Sequence, residues 1–191
     1  MRLGVLVSGR GSNLEAVLEA RPPGIEPVLV ISNRAGVRAL TVAATHEVAA
    51  LVLRRSDFDG NAAARDAAIG EALTAAGVEL ALLAGYDQLL LPPSFLAFQG
   101  RTINIHPSLL PAHGGPGMLG PAVHRSVLEA GDRETGATVH EVTADLDAGP
   151  VLAWARVAVL AGDDVEALGA RVLAEEHRLL VATLASIAAA P

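Results

Sequence analysis

Leu3-Gly4-Val5-Leu6-Val7-Ser8-Gly9-Arg10-Gly11-Ser12-Asn13-Leu14 decides the fold of this chain. An aliphatic run ends at Ser8, small residues occupy the turn, and helical spacing of apolar positions follows. Leu3–Val7 therefore reads as a strand and Ser12–Ala20 as a helix, the first half of a βαβ unit. The same alternation continues along the chain. Pro27–Ile31, Ala49–Leu53, Leu80–Ala84 and Thr102–Ile105 read as strands, with helices at Arg34–Thr45, Asn61–Ala76 and about residues 92–98 between them. Their near-continuous apolar runs suit strands buried on both faces. The expectation is an α/β fold, a mostly parallel sheet with helices on both faces. After about residue 110 the pattern changes: a helix at Pro121–Ala130, more alternating strands at Thr135–Val142 and Val151–Val159, and a long helix at Asp164–Ala189 capped by Asp163 or Asp164. No repeat or linker divides the chain, so residues 1–191 are read as one domain.

Composition narrows the chemistry. The 191 residues are 51% hydrophobic, enough for a substantial core. Cysteine is absent, and all 14 positive side chains are arginine, with no lysine. Thiolate nucleophiles, Cys-ligated metals, Schiff bases and a Walker A lysine are thereby excluded. A net charge of −7 and 3% aromatic residues argue against nucleic-acid binding. The apolar Met1–Ser8 is broken by Gly9-Arg10-Gly11 before it reaches signal-peptide length, and Leu179–Ala190 is too short to span a bilayer. A soluble, cytoplasmic protein without membrane partners is expected.

Two segments carry chemistry. In Gly9–Asn13 the glycines permit a tight turn and close backbone approach to a ligand. Ser12 or Asn13 opens the helix, whose free N–H groups and positive dipole end suit a phosphate monoester. Leu14 breaks the Gly-x-Gly-x-x-Gly dinucleotide pattern; an ordinary strand-to-helix turn is the alternative. The second segment is Thr102-Ile103-Asn104-Ile105-His106-Pro107-Ser108-Leu109-Leu110-Pro111. Asn104 and His106 project to one side at a strand's carboxyl end, where open parallel sheets collect ligands. An amide beside an imidazole suits a developing oxyanion and a proton transfer; a capped, buried strand end is the alternative.

Asn104-Ile105-His106-Pro107-Ser108-Leu109-Leu110-Pro111 resembles the signature of the folate-dependent formyltransferase superfamily. Gly11-Ser12-Asn13, Leu83-Ala84-Gly85-Tyr86 and Asp145-Leu146-Asp147-Ala148-Gly149-Pro150 occur in the order expected of it. The resemblance spans essentially the whole chain and implies a Rossmann-like formyltransferase fold. Gly11-Ser12-Asn13, size and architecture point to the branch that formylates a ribonucleotide. The implied activity moves the formyl group of 10-formyltetrahydrofolate to the amine of 5-phosphoribosylglycinamide in purine biosynthesis, in a monomer or homodimer.

The resemblance also implies roles. Asn104, His106 and Asp147 would be catalytic, with Asp147 pairing His106 to favour its imidazolium, and Asp145 a turn residue. Gly11, Ser12, Asn13 and Glu176 would hold the ribonucleotide; without the resemblance, Glu176 reads equally as a solvated helix face. Tyr86, Asp87, Gln88, Leu89 and Leu90, with Asn104, would bind the folate. Two family arginines linked to the folate's glutamyl tail are missing: Gln88 stands at one position, and Asn61 or Ala62 at the other. Arg65, one helical turn on, is the candidate replacement. The glycine-rich Ala112–Gly120 is longer than the family turn and reads as a lid or a plain surface loop.

The remaining histidines read more blandly. His124 and His140 match family histidines but suit satisfied, buried positions; His46 and His177 suit helix ends or the surface. No spacing suggests a metal. A 10-formyltetrahydrofolate hydrolase is the enzymatic alternative, although it usually carries an N-terminal regulatory domain and tends to lack a proline at the position of Pro107. A tRNA formyltransferase would need a C-terminal β-domain or basic patch, neither of which is evident. A non-catalytic phosphate-binding module would explain Gly11–Asn13 but not Asn104, His106 and Asp147 together.

Overall fold

The computed structural model describes residues 1–91, 94 and 97–190. Seven strands form one sheet in the order β3-β2-β1-β4-β5-β6-β7, where β1 is Arg2–Val7, β2 Glu26–Ser32, β3 Ala49–Val52, β4 Leu80–Leu83, β5 Arg101–His106, β6 Glu134–Glu141 and β7 Val151–Ala158. The first five strands pair in parallel, and β6 and β7 join antiparallel. The mostly parallel α/β sheet expected from sequence is therefore present.

Helices α1 (Ser12–Ala20), α2 (Arg38–Thr45) and α5 (Val165–Ala189) cover one face, while α3 (Ala62–Ala75) covers the other. Strand β1 shows why its apolar run has no polar alternation. Leu3, Val5 and Val7 pack with Leu14, Val17 and Leu180 on one side, and Leu6 packs with Ile69 and Leu73 on the other. Strand β4 divides in the same way, Leu80 and Leu82 to one face and Ala81 and Leu83 to its opposite. Helix α4 (Pro121–Ala130) packs Val127 against Leu168 and Val172 of α5.

Two departures from the sequence reading stand out. α2 begins at Arg38, not Arg34. Ser32 Oγ donates to the Arg34 carbonyl at 2.8 Å and accepts from the Arg34 amide at 3.1 Å, a local turn that competes with helix. A 3-10 turn at Arg55–Phe58 was not expected. The helix expected at residues 92–98 falls partly on residues 92, 93, 95 and 96, which lie outside the described residues. Of the two candidate caps of α5, Asp164 accepts from the Ala167 amide at 2.8 Å, while Asp163 binds Arg171. Among the described residues no helix is long and apolar enough to cross a membrane.

Leu82 is wholly buried in β4, between β1 and β5. Leu82→Ala is expected to lower unfolding free energy by about 2–5 kcal/mol, through lost transfer energy and the cavity left behind. Urea unfolding tests this, the expected result being a lower midpoint at unchanged slope; a loss below about 1 kcal/mol would contradict the packing described.

Candidate active site

The chain order reverses at β1: β2 and β3 lie on one side, β4 and β5 on the other. Crossovers leaving in opposite directions open a crevice outside the carboxyl ends of β1 and β4. A cavity of about 950 Å³ occupies it, lined by Gly9–Asn13 after β1, Leu83–Leu90 after β4, and Asn104–Pro107 at the end of β5. The glycine-rich loop, the 143–147 segment and Glu176 complete its walls.

Gly11 caps α1 with φ 74° and brings no side chain to accept from the helix's first amides. A Cβ at Gly11 would lie 2.7 Å from that of Ala39, so both the left-handed turn and the close approach of α2 require glycine. The amides at the helix start are left for a ligand, beside the positive dipole end. Next to them Asn13 Nδ2 donates to Glu176 Oε1 at 3.4 Å, while Asn13 Oδ1 is buried without a partner. Glu176 is 7% exposed, and burial pushes its carboxyl up to about 7 against the opposing pull of the Asn13 bond. The solvated-face alternative for Glu176 is thereby overturned. Its place was legible: Leu168, Val172, Glu176, Leu180 and Leu184 form a stripe at every fourth position along the buried face of α5.

Asn104, His106 and Asp147 meet on one wall of the cavity. His106 Nε2 lies 2.9 Å from the His113 carbonyl; a carbonyl only accepts, so Nε2 carries a proton. Nδ1 faces Asp147 Oδ2 at 3.7 Å, beyond a direct hydrogen bond. Both ring nitrogens therefore face acceptors, one within hydrogen-bond reach and one beyond it. Asp147 Oδ2 also accepts from the Gly115 amide at 2.9 Å, and its Oδ1 lies 3.7 Å from His140 Nε2. His140 Nδ1 donates to the Glu141 carbonyl at 2.9 Å, so in the neutral ring Nε2 accepts from Asn104 Nδ2 at 3.0 Å. Burial lowers the His140 imidazole, in keeping with that neutral role. His140 is thus satisfied and buried, as read from sequence, yet one of its bonds orients the Asn104 amide. Asp145 is exposed in the turn, its carbonyl accepting from Thr143 Oγ1 at 3.1 Å.

The Tyr86–Leu90 segment forms the wall after β4. Tyr86 is buried, and desolvation pushes its phenol up to about 12. Burial acts to raise Asp87, but hydrogen bonds from Asn33, Gln88 and Ser8, with the Arg34 charge, hold its carboxyl below the usual range. Arg65 corrects an expectation. It is 2% exposed, its guanidinium pairs with Asp66 at 2.6 Å and donates to Gln88 Oε1 at 3.3 Å, and it does not line the cavity. Asp66 in turn accepts from the Leu91 amide at 2.8 Å. Arg65 and Asp66 fasten the segment from behind and leave no free charge for a glutamyl tail.

His124 lines the cavity, and burial lowers its imidazole. Among the described residues no group of three or more His, Cys, Asp or Glu side chains is placed to hold a metal ion. The sequence reading missed His113, whose carbonyl holds His106; a backbone contact leaves no side-chain signature.

Comparison with known proteins gives a consistent result. The family described as formyl transferase matches residues 1–184. The chain is 37% identical to the chloroplastic phosphoribosylglycinamide formyltransferase of Arabidopsis thaliana over 97% of its own length and 65% of that protein. It is 39% identical to phosphoribosylglycinamide formyltransferase of Escherichia coli (strain K12), over 94% of this chain and 83% of the relative. It spans only 18% of the trifunctional purine biosynthetic protein of Gallus gallus. The crystal structure of glycinamide ribonucleotide transformylase 1 from Symbiobacterium toebii superposes with a TM-score of 0.91 at 43% identity, over 98% of this chain and 87% of that one.

Glu176 predicts a measurable pH dependence of stability without ligands. Its raised carboxyl binds a proton more tightly in the folded than in the unfolded chain, so its contribution is full below about pH 4.5 and is lost as pH rises through about 7. Wild-type stability is expected to fall by up to about 3 kcal/mol across that window relative to Glu176→Gln. Urea unfolding at several pH values checks this; equal slopes in the two proteins would contradict it.

Proposed function

With residues 1–184 matched, the chain belongs to the formyl transferase family, and on that premise we propose that it transfers the formyl group of 10-formyltetrahydrofolate to the amine of 5-phosphoribosylglycinamide. The products are formylglycinamide ribonucleotide and tetrahydrofolate, a step of purine biosynthesis. One observation carries the proposal: Asn104, His106 and Asp147 share one cavity with the uncapped start of α1 and buried Glu176. A phosphate site and an acyl-transfer site thus open into the same space.

Each group then has a task. The amides at the start of α1 hold the ribonucleotide phosphate, and Glu176 with Asn13 accepts from the sugar hydroxyls. The Tyr86–Leu90 wall, with apolar Leu83 and Leu90, receives the folate ring system in a cavity large enough for both ligands. As the substrate amine attacks the formyl carbon, the carbonyl electron pair moves onto oxygen. The second Asn104 amide hydrogen and the His106 Nδ1–H donate to that oxyanion. Asp147 accepts the amine proton, and that proton reaches the folate nitrogen as its bond to the formyl carbon breaks. Positioning and charge stabilisation suffice, and no covalent enzyme intermediate forms. This reading takes residues 1–191 as one catalytic domain of a cytoplasmic monomer or homodimer acting on small molecules.

His106→Ala and Asp147→Asn are each expected to lower kcat by about 100-fold or more, with KM for both substrates within a few-fold. Steady-state assays with 10-formyltetrahydrofolate and phosphoribosylglycinamide decide the matter. Near-wild-type turnover in either variant would refute the assigned roles. Tetrahydrofolate release that needs no ribonucleotide would replace transfer by hydrolysis.

A further inference from the structure

The backbone of residues 113–115 touches both members of the reacting pair. The His113 carbonyl accepts from His106 Nε2 at 2.9 Å, and the Gly115 amide donates to Asp147 Oδ2 at 2.9 Å. Between them, a Cβ at Gly114 would lie 3.3 Å from that of Asp147 and 2.6 Å from Leu110 Cδ2, so a larger residue there would press on both side chains. Something must hold a glycine-rich segment still enough to orient two side chains.

That anchor is the His113 imidazole, which does not line the cavity. Its Nε2 donates to Asp132 Oδ2 at 2.7 Å, and its Nδ1 bonds to Ser126 Oγ at 2.8 Å. One partner belongs to α4 and the other to the residue after its cap. Ser126 lies within the helix, and Asp132 directly follows its C-terminal cap, where the Gly131 amide donates to the Leu128 carbonyl and the Asp132 amide to the Val127 carbonyl. The helix is anchored through buried Val123 and Val127, so the clamp stands on a rigid element. His113 also holds φ 53°, a conformation that L-residues adopt only where surrounding contacts fix them. Its ring is 13% exposed and both nitrogens are engaged, so the imidazole has no ligand to offer the cavity.

We propose that His113 is a positioning residue for formyl transfer: its imidazole, clamped between Ser126 and Asp132, fixes the 113–115 backbone that orients His106 and Asp147. The proposal deepens the reaction assigned above and rests on the role given there to His106. Its geometric half, however, can be read without turnover.

The test compares wild type with His113→Phe, which keeps a ring but loses both bonds, and with Asp132→Ala, Asp132→Asn and Ser126→Ala at partly exposed positions away from the cavity. Two readouts are taken on the full chain: kcat with KM for each substrate, and the ¹⁵N shifts of the His106 ring. His113→Phe and Asp132→Ala are expected to lower kcat about tenfold or more with KM within about twofold, since small misplacements of reacting groups cost rate and not binding. In both, the Nε2–H signature of His106 is lost. Asp132→Asn restores it with most of the rate, because its amide oxygen still accepts from His113. An unchanged His106 signature and kcat in His113→Phe overturns the proposal. So does a rate loss in the Asp132 variants that tracks only melting temperature, with the signature intact. Should wild type transfer no formyl group, the assigned reaction fails, while the ¹⁵N comparison still decides whether His113 orients His106.

Discussion

Strand β1 pairs in parallel with both β2 and β4, and everything functional in this protein depends on that pairing. Parallel neighbours require crossovers, and because the connection leaving β1 runs toward β2 while the one leaving β4 runs toward β5, the carboxyl ends of β1 and β4 stay uncovered. The resulting crevice is a consequence of connectivity, fixed before any side chain contributes to binding. It leaves the Gly9–Asn13 turn, the Tyr86–Leu90 segment and the end of β5 facing one another. The hydrophobic core then acts as a rigid mount, with β1 and β4 buried on both faces.

Placed in that crevice, the polar groups divide into those that meet a ligand and those that hold others still. His140 spends one nitrogen on the Glu141 carbonyl and the other on Asn104. Arg65 and Asp66 are spent on Gln88 and Leu91. Their burial is tolerable because each is paired, and a buried pair contributes more to fixing a geometry than to stability. Glu176 is the exception, with one long hydrogen bond at 3.4 Å and a carboxyl lifted by desolvation. A buried acceptor so weakly satisfied, beside an orphaned Asn13 oxygen, leaves capacity for further hydrogen-bond donors.

This division explains what could be read in the sequence. The alternation of apolar runs with helical spacing placed the sheet and α1, α3, α4 and α5 to within a few residues, because burial on two faces leaves a strong composition signal. The turn at Gly11 and the strand end carrying Asn104 and His106 were legible as positions, whereas Asp147 entered only through the family resemblance; the structure brings Asn104, His106 and Asp147 to one cavity wall. Arg65 was misjudged because sequence shows a charge but not its direction: one turn into α3 its side chain points toward the core, where Asp66 waits. His113 was missed for a different reason. It acts through its carbonyl, and main-chain contacts across the fold have no residue-type signature.

The absence of lysine and cysteine acquires a physical meaning in this setting. A flexible ammonium or a thiolate would bring intrinsic reactivity, whereas here the groups that meet on the cavity wall are an amide, an imidazole and a carboxylate, each weak alone. Their effect depends on alignment, since an oxyanion donor misplaced by about 1 Å loses much of its benefit. Alignment in turn comes from neutral or backbone groups: the His113 carbonyl, the Gly115 amide, the His140 nitrogen. These fix geometry without adding a further charge beside Asp147. A site built in this way trades reactive residues for rigid ones, so the helix end that holds His113 fixes the cavity's geometry together with the strand that carries His106.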